Sequence, residues 1–593
     1  MDDGKFDVTI IGTGLTESIA AAALAKAGFK VAHLDENPYY GGAEASLSLD
    51  ELAQWADAQA SSSSPKYTSI SRSLEVPSQT RQYSVCLSPS VIPSIGPIIS
   101  SLVSSGVAKY GGFRLLEHVG VYHPSGVIKN VPGTKEDIFK SKEIALIDKR
   151  RLMRFLMFAV GDFEDKNELK GVDEIPFGDF LKDVFSLKDE LHTALVFALA
   201  FCFSTSEPTL PALHRIRRYL RSVGRYGPSP FLVGHYGGSG EIAQGFCRAA
   251  AVSGGVYILG RRVISIAHSS TELTESSTPS EEERSKPLPP YSIALDDFPD
   301  TLTSHIIISS ASHVPPHLTH LTKQLSLDHD HNPHANSPIA RCIAVVDHGI
   351  TFPPPASSVN PPADTEEDSP LNTPETDTRS KPPSPLDAGI FVFPPSSVAG
   401  GSKTAAATVL ITGEGTMSTP KGKWIWYIAL PLSSPPADSI SAEQLLQPYL
   451  DAMLSLTKPP TPSVRLPPSS SPPAPAVEAA PHSAHPRPKP LFTLFYIEHP
   501  DPSSPSAETS RHTKSYVVPP PLPPASPLPD VPDAAATSAE AVFWEAVKVL
   551  RDAGVRPERD QGLDDVDAGE ALDIQSFWPL LETGEDSGGE EEW

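Results

Sequence analysis

The stretch FDVTIIGTGLTESIAAAALAKAG, residues 6–28, decides the fold of this chain. It opens with an apolar run at Phe6–Ile11, passes through a glycine turn, and continues as an alanine-rich segment, Leu15–Ala27, with the apolar spacing of a helix. Gly28 stands where a helix C-cap belongs, and a second apolar run follows at Lys30–Leu34. Strand, helix and strand in this order predict a βαβ unit.

The glycine turn carries the first part of a dinucleotide-binding fingerprint. Gly12 permits a tight turn, Gly14 lets a pyrophosphate approach the backbone, and the helix that follows presents its positive end. Asp35, 21 residues after Gly14, stands where a carboxylate would bind a ribose hydroxyl. Glu17, however, replaces the third glycine, and its carboxylate would crowd the helix against the strand and repel a pyrophosphate.

A flavin would also need a Gly-Asp segment late in the chain for its ribityl phosphate, and the nearest imitation is residues 412–415, TGEG. We therefore interpret Gly12, Gly14, Glu17 and Asp35 as a vestigial fingerprint, retained because the fold needs the turn. The sequence predicts that no cofactor is bound.

Composition and charge narrow the class of protein. The chain has 593 residues, 64 of them proline, about twice the usual share, and most lie in Ser/Pro tracts that cannot bury enough apolar surface to fold. Its net charge of −25 argues against binding nucleic acid and against a broad electrostatic hold on anionic lipid.

The cysteine spacing and the terminal residues indicate the cellular compartment in which we expect the protein. Cys86, Cys202, Cys247 and Cys342 are far apart, which fits a reducing cytosol better than a disulfide framework or a zinc site. The first residues lack the features of a signal peptide, the most apolar window is too short to span a bilayer, and the last residues are not a prenylation box. We expect a soluble protein of the cytosol, with the nucleus left open as a second location.

The order of strand-like, helical and low-complexity segments along the chain predicts one large domain that is interrupted by a helical insertion. Its first part, residues 1–130, holds the βαβ unit and a Ser-rich disordered insert at about 61–80, and residues 131–223 are helical throughout. Residues 224–268 return to the large domain, and 269–580 supply its remaining strands and a last helix at Phe543–Arg551. Disordered inserts are predicted at about 269–290, 353–387, 458–490 and 501–532, and an acidic disordered tail at 581–593.

Other candidate sites are weaker. Histidines 313, 317, 320, 329, 331 and 334 crowd one stretch with Asp328 and Asp330, but the stretch is irregular, so we expect a solvated loop and no metal. A basic cluster, Lys149–Arg151 with Arg154, is either a solvated helix end or a contact for an acidic partner. Hydrolase, metalloprotease and Walker motifs are missing from the sequence, as is a credible nucleophile–base pair, so we expect no catalytic residues.

Three ordered blocks resemble the Rab GDP-dissociation inhibitor and Rab escort protein family. The first is GTGLTE at 12–17 with HLDENPYYGG at 33–42, and Glu17 is the family's own departure from the flavin fingerprint. The second is RYGPSPFL at 225–232 with YG at 236–237, GEIAQGFCR at 240–248 and GGVY at 254–257, and the third is KRRLMRFL at 149–156. The resemblance covers residues 5–50 and 83–268 well and the later strands loosely.

The resemblance implies an α/β fold, with a FAD/NAD(P)-binding-like large domain and an inserted small all-helical domain. It implies three sets of binding residues. The set that would bind a Rab GTPase is Tyr40, Glu241, Arg248, Val256, Tyr257 and Ile258. The set that would receive the Rab C-terminal tail is Ile98, Ile99, Leu102 and Val103. The set that would hold the geranylgeranyl group is Phe155, Leu156, Leu195, Phe197 and Leu199.

The escort branch of the family is favoured by the run from Val131 to Lys142, by the length of the chain and by the late segments 491–496 and 576–578. Membership implies a non-catalytic protein that binds GDP-bound Rab GTPases, presents them to the Rab geranylgeranyltransferase alpha/beta heterodimer and delivers the prenylated Rab, with its geranylgeranyl lipid, to membranes through transient contact. The alternatives are an inhibitor that recycles prenylated Rab and, as a different class, a FAD-dependent oxidoreductase.

Overall fold

The computed structural model describes residues 4–62, 66–131, 144–187, 189–269, 289–326, 336–351, 384–437, 439–457, 488–501, 514–557 and 574–579. Most of the inserts predicted at 269–290, 353–387 and 458–490 lie outside these ranges. So do the acidic tail, most of the run 131–142, and His329, His331, His334, Asp328 and Asp330.

The strands in chain order are β1 (Lys5–Ile11), β2 (Val31–Asp35), β3 (Ser46–Leu47), β4 (Tyr67–Arg72), β5 (Val85–Cys86), β6 (Ile92–Pro93), β7 (Phe113–Leu115), β8 (His118–His123), β9 (Val127–Asn130), β10 (Phe231–Gly234), β11 (Val256–Leu259), β12 (Val263–His268), β13 (Tyr291–Leu295), β14 (Leu302–Ser309), β15 (Thr322–Gln324), β16 (Ile339–Val346), β17 (Ala388–Phe393), β18 (Ala407–Thr412), β19 (Trp424–Pro431), β20 (Phe492–Glu498) and β21 (Tyr516–Val518).

The helices are α1 (Leu15–Lys26), α2 (Leu49–Ser61), α3 (Pro97–Ser105), α4 (Leu146–Val160), α5 (Phe177–Asp183), α6 (Asp189–Ala194), α7 (Thr209–Ser222), α8 (Ser239–Val252), α9 (Ala442–Leu456) and α10 (Asp530–Asp552). A π-helix, Leu195–Leu199, continues α6. Short 3₁₀ helices lie at Gly42–Glu44, Thr80–Gln82, Val107–Lys109, Ala311–His313, Pro316–Leu321 and Glu414–Thr416.

The first sheet has the strand order β11-β2-β1-β14-β13-β12, and β14 also pairs with β21. Strands β11, β2, β1 and β14 are parallel, with Val8 opposite both Val31 and Ile306. Helices α1, α3, α8 and α10 cover one face, and the 3₁₀ helix Pro316–Leu321 packs on the other. Burial on both faces explains the continuous apolar runs of β1 and β14. The predicted βαβ unit, β1–α1–β2, and the α/β fold class are confirmed.

The second sheet has the order β4-β20-β16-β19-β18-β17-β8-β9 and is antiparallel except where β17 pairs with β8. Its central strands, β16 to β20, are buried on both faces. One face packs against α2 and against the helical segment α4–α7, and the other packs against α9. The helical segment therefore shares a hydrophobic core with the second sheet.

The disordered insert expected at about 61–80 is wrong for residues 67–72, because they form β4 at the edge of the second sheet. Arg72 donates to both carboxylate oxygens of Asp57 on α2, at 2.8 and 2.6 Å. Tyr67 packs edge-on against Trp55, with ring centroids 5.0 Å apart. The serine-rich sequence does not predict a strand here. The strand is stabilised by partners that are distant in sequence, such as β20.

The insert expected at 501–532 is also wrong beyond residue 513. The three residues of β21 are buried beside β14 and β15, and the last helix begins at Asp530 instead of Phe543. Proline content predicts a loop correctly at 519–529, but it concealed a three-residue strand and the first turn of α10, where Pro532 is tolerated.

A buried ion cluster joins the helical segment to α10. Arg218 on α7 binds Asp530 and also donates to Asp533 over 3.0 Å, while Arg215 binds Glu207 over 2.5 Å. Asp533 also accepts the N–H of Ile98 at the start of α3, at 3.2 Å. Burial raises the pKa of Asp533 to about 6, although Arg218 opposes the rise.

Candidate functional site

The glycine turn of the vestigial fingerprint is held by hydrogen bonds to the side chain of Asp35. The carboxylate of Asp35 accepts the backbone N–H of Thr13 at 2.9 Å and its hydroxyl at 2.6 Å, and its other oxygen accepts the N–H of Asn37 at 2.8 Å. Gly12 has a φ of 99°, which favours glycine. Asp35, predicted at the ribose position, therefore holds the turn together.

Two carboxyl groups lie over the start of α1. Glu44 accepts the N–H of Leu15 over 3.3 Å, and a β-carbon built on Gly14 would lie 2.6 Å from an oxygen of Glu17 and 3.4 Å from an oxygen of Glu44. Burial and then the charge of Glu44 raise the pKa of Glu17 to about 7, and burial raises the pKa of Glu44 as well.

A cavity of about 550 Å³ opens beside this turn. Its wall includes the buried ion pair of Arg341 with Glu498, 2.7 Å apart, and the proline-rich segment 519–524. A dinucleotide in this cavity would bring its diphosphate to the start of α1, where two carboxyl groups already lie. The residues of this site do not fit a dinucleotide.

A second candidate region lies at the surface, where the loop after β2 approaches the start of α8. Gly41 follows Tyr40, and a β-carbon on Gly41 would lie 3.2 Å from the α-carbon of Gly240, which precedes Glu241. Gly41 also has a φ of 102°. Because glycines occupy both positions, the loop after β2 can approach the start of α8, which places Tyr40 and Glu241 on neighbouring segments.

Arg248 and Glu241 lie seven residues apart on α8, on one face of the helix. The guanidinium of Arg248 stacks on Tyr110, 4.7 Å from the ring centroid. Glu241 is half-buried, and burial raises its pKa. Tyr110 is 51% exposed, and it lines the same depression as Glu241. We call Tyr40, Tyr110, Glu241, Arg248 and Tyr257 the α8 surface.

The predicted Rab-binding residues on β11 divide between the two faces of the sheet. Tyr257 points to the α8 side, with its ring 5.7 Å from Tyr40. Val256 and Ile258 point to the opposite side, where Ile258 is buried beside Ile11. Consecutive residues of a strand alternate between its two faces, so the three residues do not form one surface. That they bind a Rab GTPase stays a prediction.

The predicted tail-binding patch on α3 is mostly interior. Ile98, Ile99 and Leu102 are buried beneath α1 and α10, whereas Val103 is 52% exposed. In this structure only Val103 among the four is available at the surface, because the other three form the apolar stripe of the helix. The sequence reasoning missed the exposed Tyr110, which follows the left-handed Gly106.

The five predicted prenyl-binding residues all lie in one buried cluster. Phe155, Leu156, Leu195, Phe197 and Leu199 share the core of the helical segment. Around them, four further phenylalanines pack ring against ring, and this group comprises Phe158, Phe177, Phe180 and Phe185.

The basic cluster lies on a helix whose other exposed residues are apolar. Leu146, Ile147 and Met157 of α4 are each about two-thirds exposed, and Arg150 and Arg154 lie among them. In the residues described, no group of His, Cys, Asp or Glu could hold a metal ion. The same residues contain no helix long and apolar enough to cross a bilayer.

The sequence of this chain is similar to sequences of known proteins. Residues 1–284 match the model of the GDI family, GDP dissociation inhibitor. A Saccharomyces cerevisiae protein named Rab proteins geranylgeranyltransferase component A is 29% identical over 440 residues, which cover 73% of this chain and 63% of that protein. A Drosophila melanogaster protein of the same name is 35% identical over 285 residues, 44% of this chain and 54% of that protein.

A crystal structure of Rab GDI from Plasmodium falciparum has the same fold. It superposes with a TM-score of 0.57 over 92% of this chain and 98% of that one, at 19% identity. The chain spans less than two thirds of the length of the curated relatives it matches. Over residues 1–284 this chain is therefore similar to the GDP dissociation inhibitor family.

Proposed function

We propose that this protein binds GDP-bound Rab GTPases on the α8 surface, presents them to the Rab geranylgeranyltransferase heterodimer and accompanies the prenylated Rab to membranes. The observation that carries the proposal is the close approach of Gly41 and Gly240, which places the loop of Tyr40 beside the helix that carries Glu241 and Arg248. The names of the curated relatives support the same role. The protein would act in the cytosol and carry out no catalysis itself.

The α8 surface has the composition of a protein-binding site. Arginine and tyrosine are the residues that most often dominate binding energy. Arg248 and Glu241 carry opposite charges on one helix face, which suits charged switch regions of a GTPase and fixes the register of the complex. GDP-bound Rab would be preferred because its switch regions are mobile enough to fit.

The aromatic cluster of the helical segment is the proposed prenyl site. A geranylgeranyl chain buries many methylene groups, at about 0.8 kcal/mol each, so an apolar interior can compete with a membrane. Because Phe155, Phe177 and Phe185 pack against one another, a guest would have to separate α4 from α5. The exposed face of α4, with Arg150 and Arg154, is the proposed contact for an acidic surface of the transferase.

The decisive experiment is geranylgeranylation of a purified GDP-loaded Rab by the transferase heterodimer, with and without this protein. We expect strong dependence on the protein. Prenylation at the same rate without it would overturn the escort function. The variant Met157→Glu, on the exposed face of α4, should lower the yield without affecting Rab binding.

The family model favours a second candidate, an inhibitor that recycles prenylated Rab. Extraction of prenylated, GDP-loaded Rab from vesicles, measured by flotation, separates the two functions. Efficient extraction together with no effect on prenylation would establish the recycling function and exclude the escort function.

A further inference from the structure

The start of α1 is a region that the proposed function leaves unexplained. A helix begins with backbone N–H groups that lack partners within the helix, and these groups attract anions. In dinucleotide-binding folds the anion is the diphosphate. Here Gly14 is the N-cap and provides no side chain, so the partners of these N–H groups must come from elsewhere.

Those partners are carboxyl groups of the protein itself. Glu44 reaches the first helical N–H, at Leu15, over 3.3 Å. Glu17, the third helical residue, folds back towards its own backbone N–H, which by itself lowers the pKa of Glu17. Its carboxyl group comes to lie over the α-carbon of Gly14, where a diphosphate would otherwise approach.

Glu44 is held in this position by the loop that carries it. The N–H of Gly41 donates to the carbonyl oxygen of Thr13 at 3.1 Å and to its hydroxyl at 3.0 Å. A β-carbon on Gly42 would lie 3.4 Å from the backbone nitrogen of Gly14. The loop and the glycine turn therefore pack as one unit, and displacing Glu44 would require the loop to separate from the turn.

Burial and the nearby charges disfavour the ionised form of Glu17. Burial is the largest cause of the rise of its pKa to about 7, Glu44 and Asp35 add to the rise, and Lys66 opposes it. Burial raises the pKa of Glu44 as well.

We propose that the carboxyl groups of Glu17 and Glu44 together cap α1 in place of a diphosphate, and that this pair excludes dinucleotides from the adjoining cavity. The inference goes beyond Rab binding and does not rest on it. The fold keeps its phosphate-binding turn and satisfies it with its own anions.

The test measures binding of ADP and of FAD by isothermal titration calorimetry. The variant Glu17→Gly/Glu44→Gln removes both carboxylates and restores the third glycine of the fingerprint. We expect no binding by the parent protein at 1 mM ligand, about the weakest affinity worth measuring, and at least a tenfold gain in affinity for ADP in the variant. The matched control is Glu36→Gln, which removes an exposed carboxylate at the same cavity and should gain nothing.

Either of two results would overturn the proposal. One is binding of ADP or FAD by the parent protein. The other is no gain by a folded double variant, which would mean that something else closes the site. Folding is checked by the thermal transition, and Glu17→Gln/Glu44→Gln, which preserves side-chain shape, replaces the first variant if that one does not fold. Rab affinity, measured on the same samples, separates this outcome from failure of the proposed function.

Discussion

Helices α1 and α8 begin in the same way and serve different purposes. Each has a glycine N-cap, Gly14 and Gly238, and a glutamate as its third residue, Glu17 and Glu241. Glu17 faces a cavity beside a second carboxyl group, whereas Glu241 faces a surface depression beside Tyr110. A glutamate near a helix start therefore lies inside the protein or stays open to the surface according to what packs over it.

The start of α3 extends this comparison, and a substitution there has the largest expected effect on stability. Asp533 caps α3 through Ile98 and also binds Arg218, so Asp533→Ala removes a cap and leaves the partly buried Arg218 paired with Asp530. We expect a loss of about 2–4 kcal/mol in the free energy of unfolding, measured by urea denaturation.

The matched control for Asp533→Ala lies on the same helix. Asp552 is exposed at the end of α10, and Asp552→Ala should change the free energy of unfolding by less than about 0.5 kcal/mol. Similar losses for the two variants would show that the ion cluster contributes no more than an exposed carboxylate.

The contact between the two regions can be broken at Gly240. A β-carbon there would lie 2.6 Å from the carbonyl oxygen of Glu44, which is backbone and cannot move aside cheaply. Gly240→Ala should therefore cost about 1–3 kcal/mol of stability and weaken Rab binding, because the α8 surface loses its register with Tyr40. At Gly245 the new atom would meet only a side-chain methyl of Val107, so Gly245→Ala should cost less. Equal costs would contradict this account of the contact.

The α8 surface is tested most directly at Arg248. Arg248→Ala removes the charge and the stacking on Tyr110, and we expect Rab affinity to fall by about 2 kcal/mol, a factor of roughly 30. Binding is measured by surface plasmon resonance with GDP-loaded Rab. Lys548→Ala removes an exposed cation from α10 and should leave the affinity unchanged. Unchanged affinity of the Arg248 variant would remove this residue from the proposed site.

The internal cap has the smallest expected effect, which depends on pH. The pKa of Glu17 is about 7 in the folded protein against an ordinary value of 4.5, so between these values the unfolded chain releases a proton that the folded chain keeps. Stability of the parent protein therefore falls as pH rises through this window, and it falls less in Glu17→Gln. We expect the difference to grow by about 1 kcal/mol between pH 5 and pH 8.

Thermal denaturation of both proteins at each pH measures this difference, and the titration of Asp533 cancels because both proteins contain it. A constant difference across the window would mean that Glu17 is ionised throughout.

Individual elements of the chain differ in how well the sequence predicts them. The order β1–α1–β2 follows from local apolar periodicity, and Glu17 already indicated that a diphosphate would be repelled. Strands β4 and β21 were missed because serine and proline dominate their surroundings and their stability comes from distant partners. Glu44 was missed too, since nothing in its local sequence indicates that it reaches α1.

The glycine turn, the helical faces and the family resemblance can be read from the sequence, because they depend on residue types at short spacing. The sequence does not show that Ile258 faces the core, that Ile98 lies beneath α10, or that Glu17 and Glu44 lie over Gly14; these follow from the packing of distant elements. All three placements have the same physical reason. The direction and burial of a side chain depend on which distant element packs over it, and this information is spread along the whole chain.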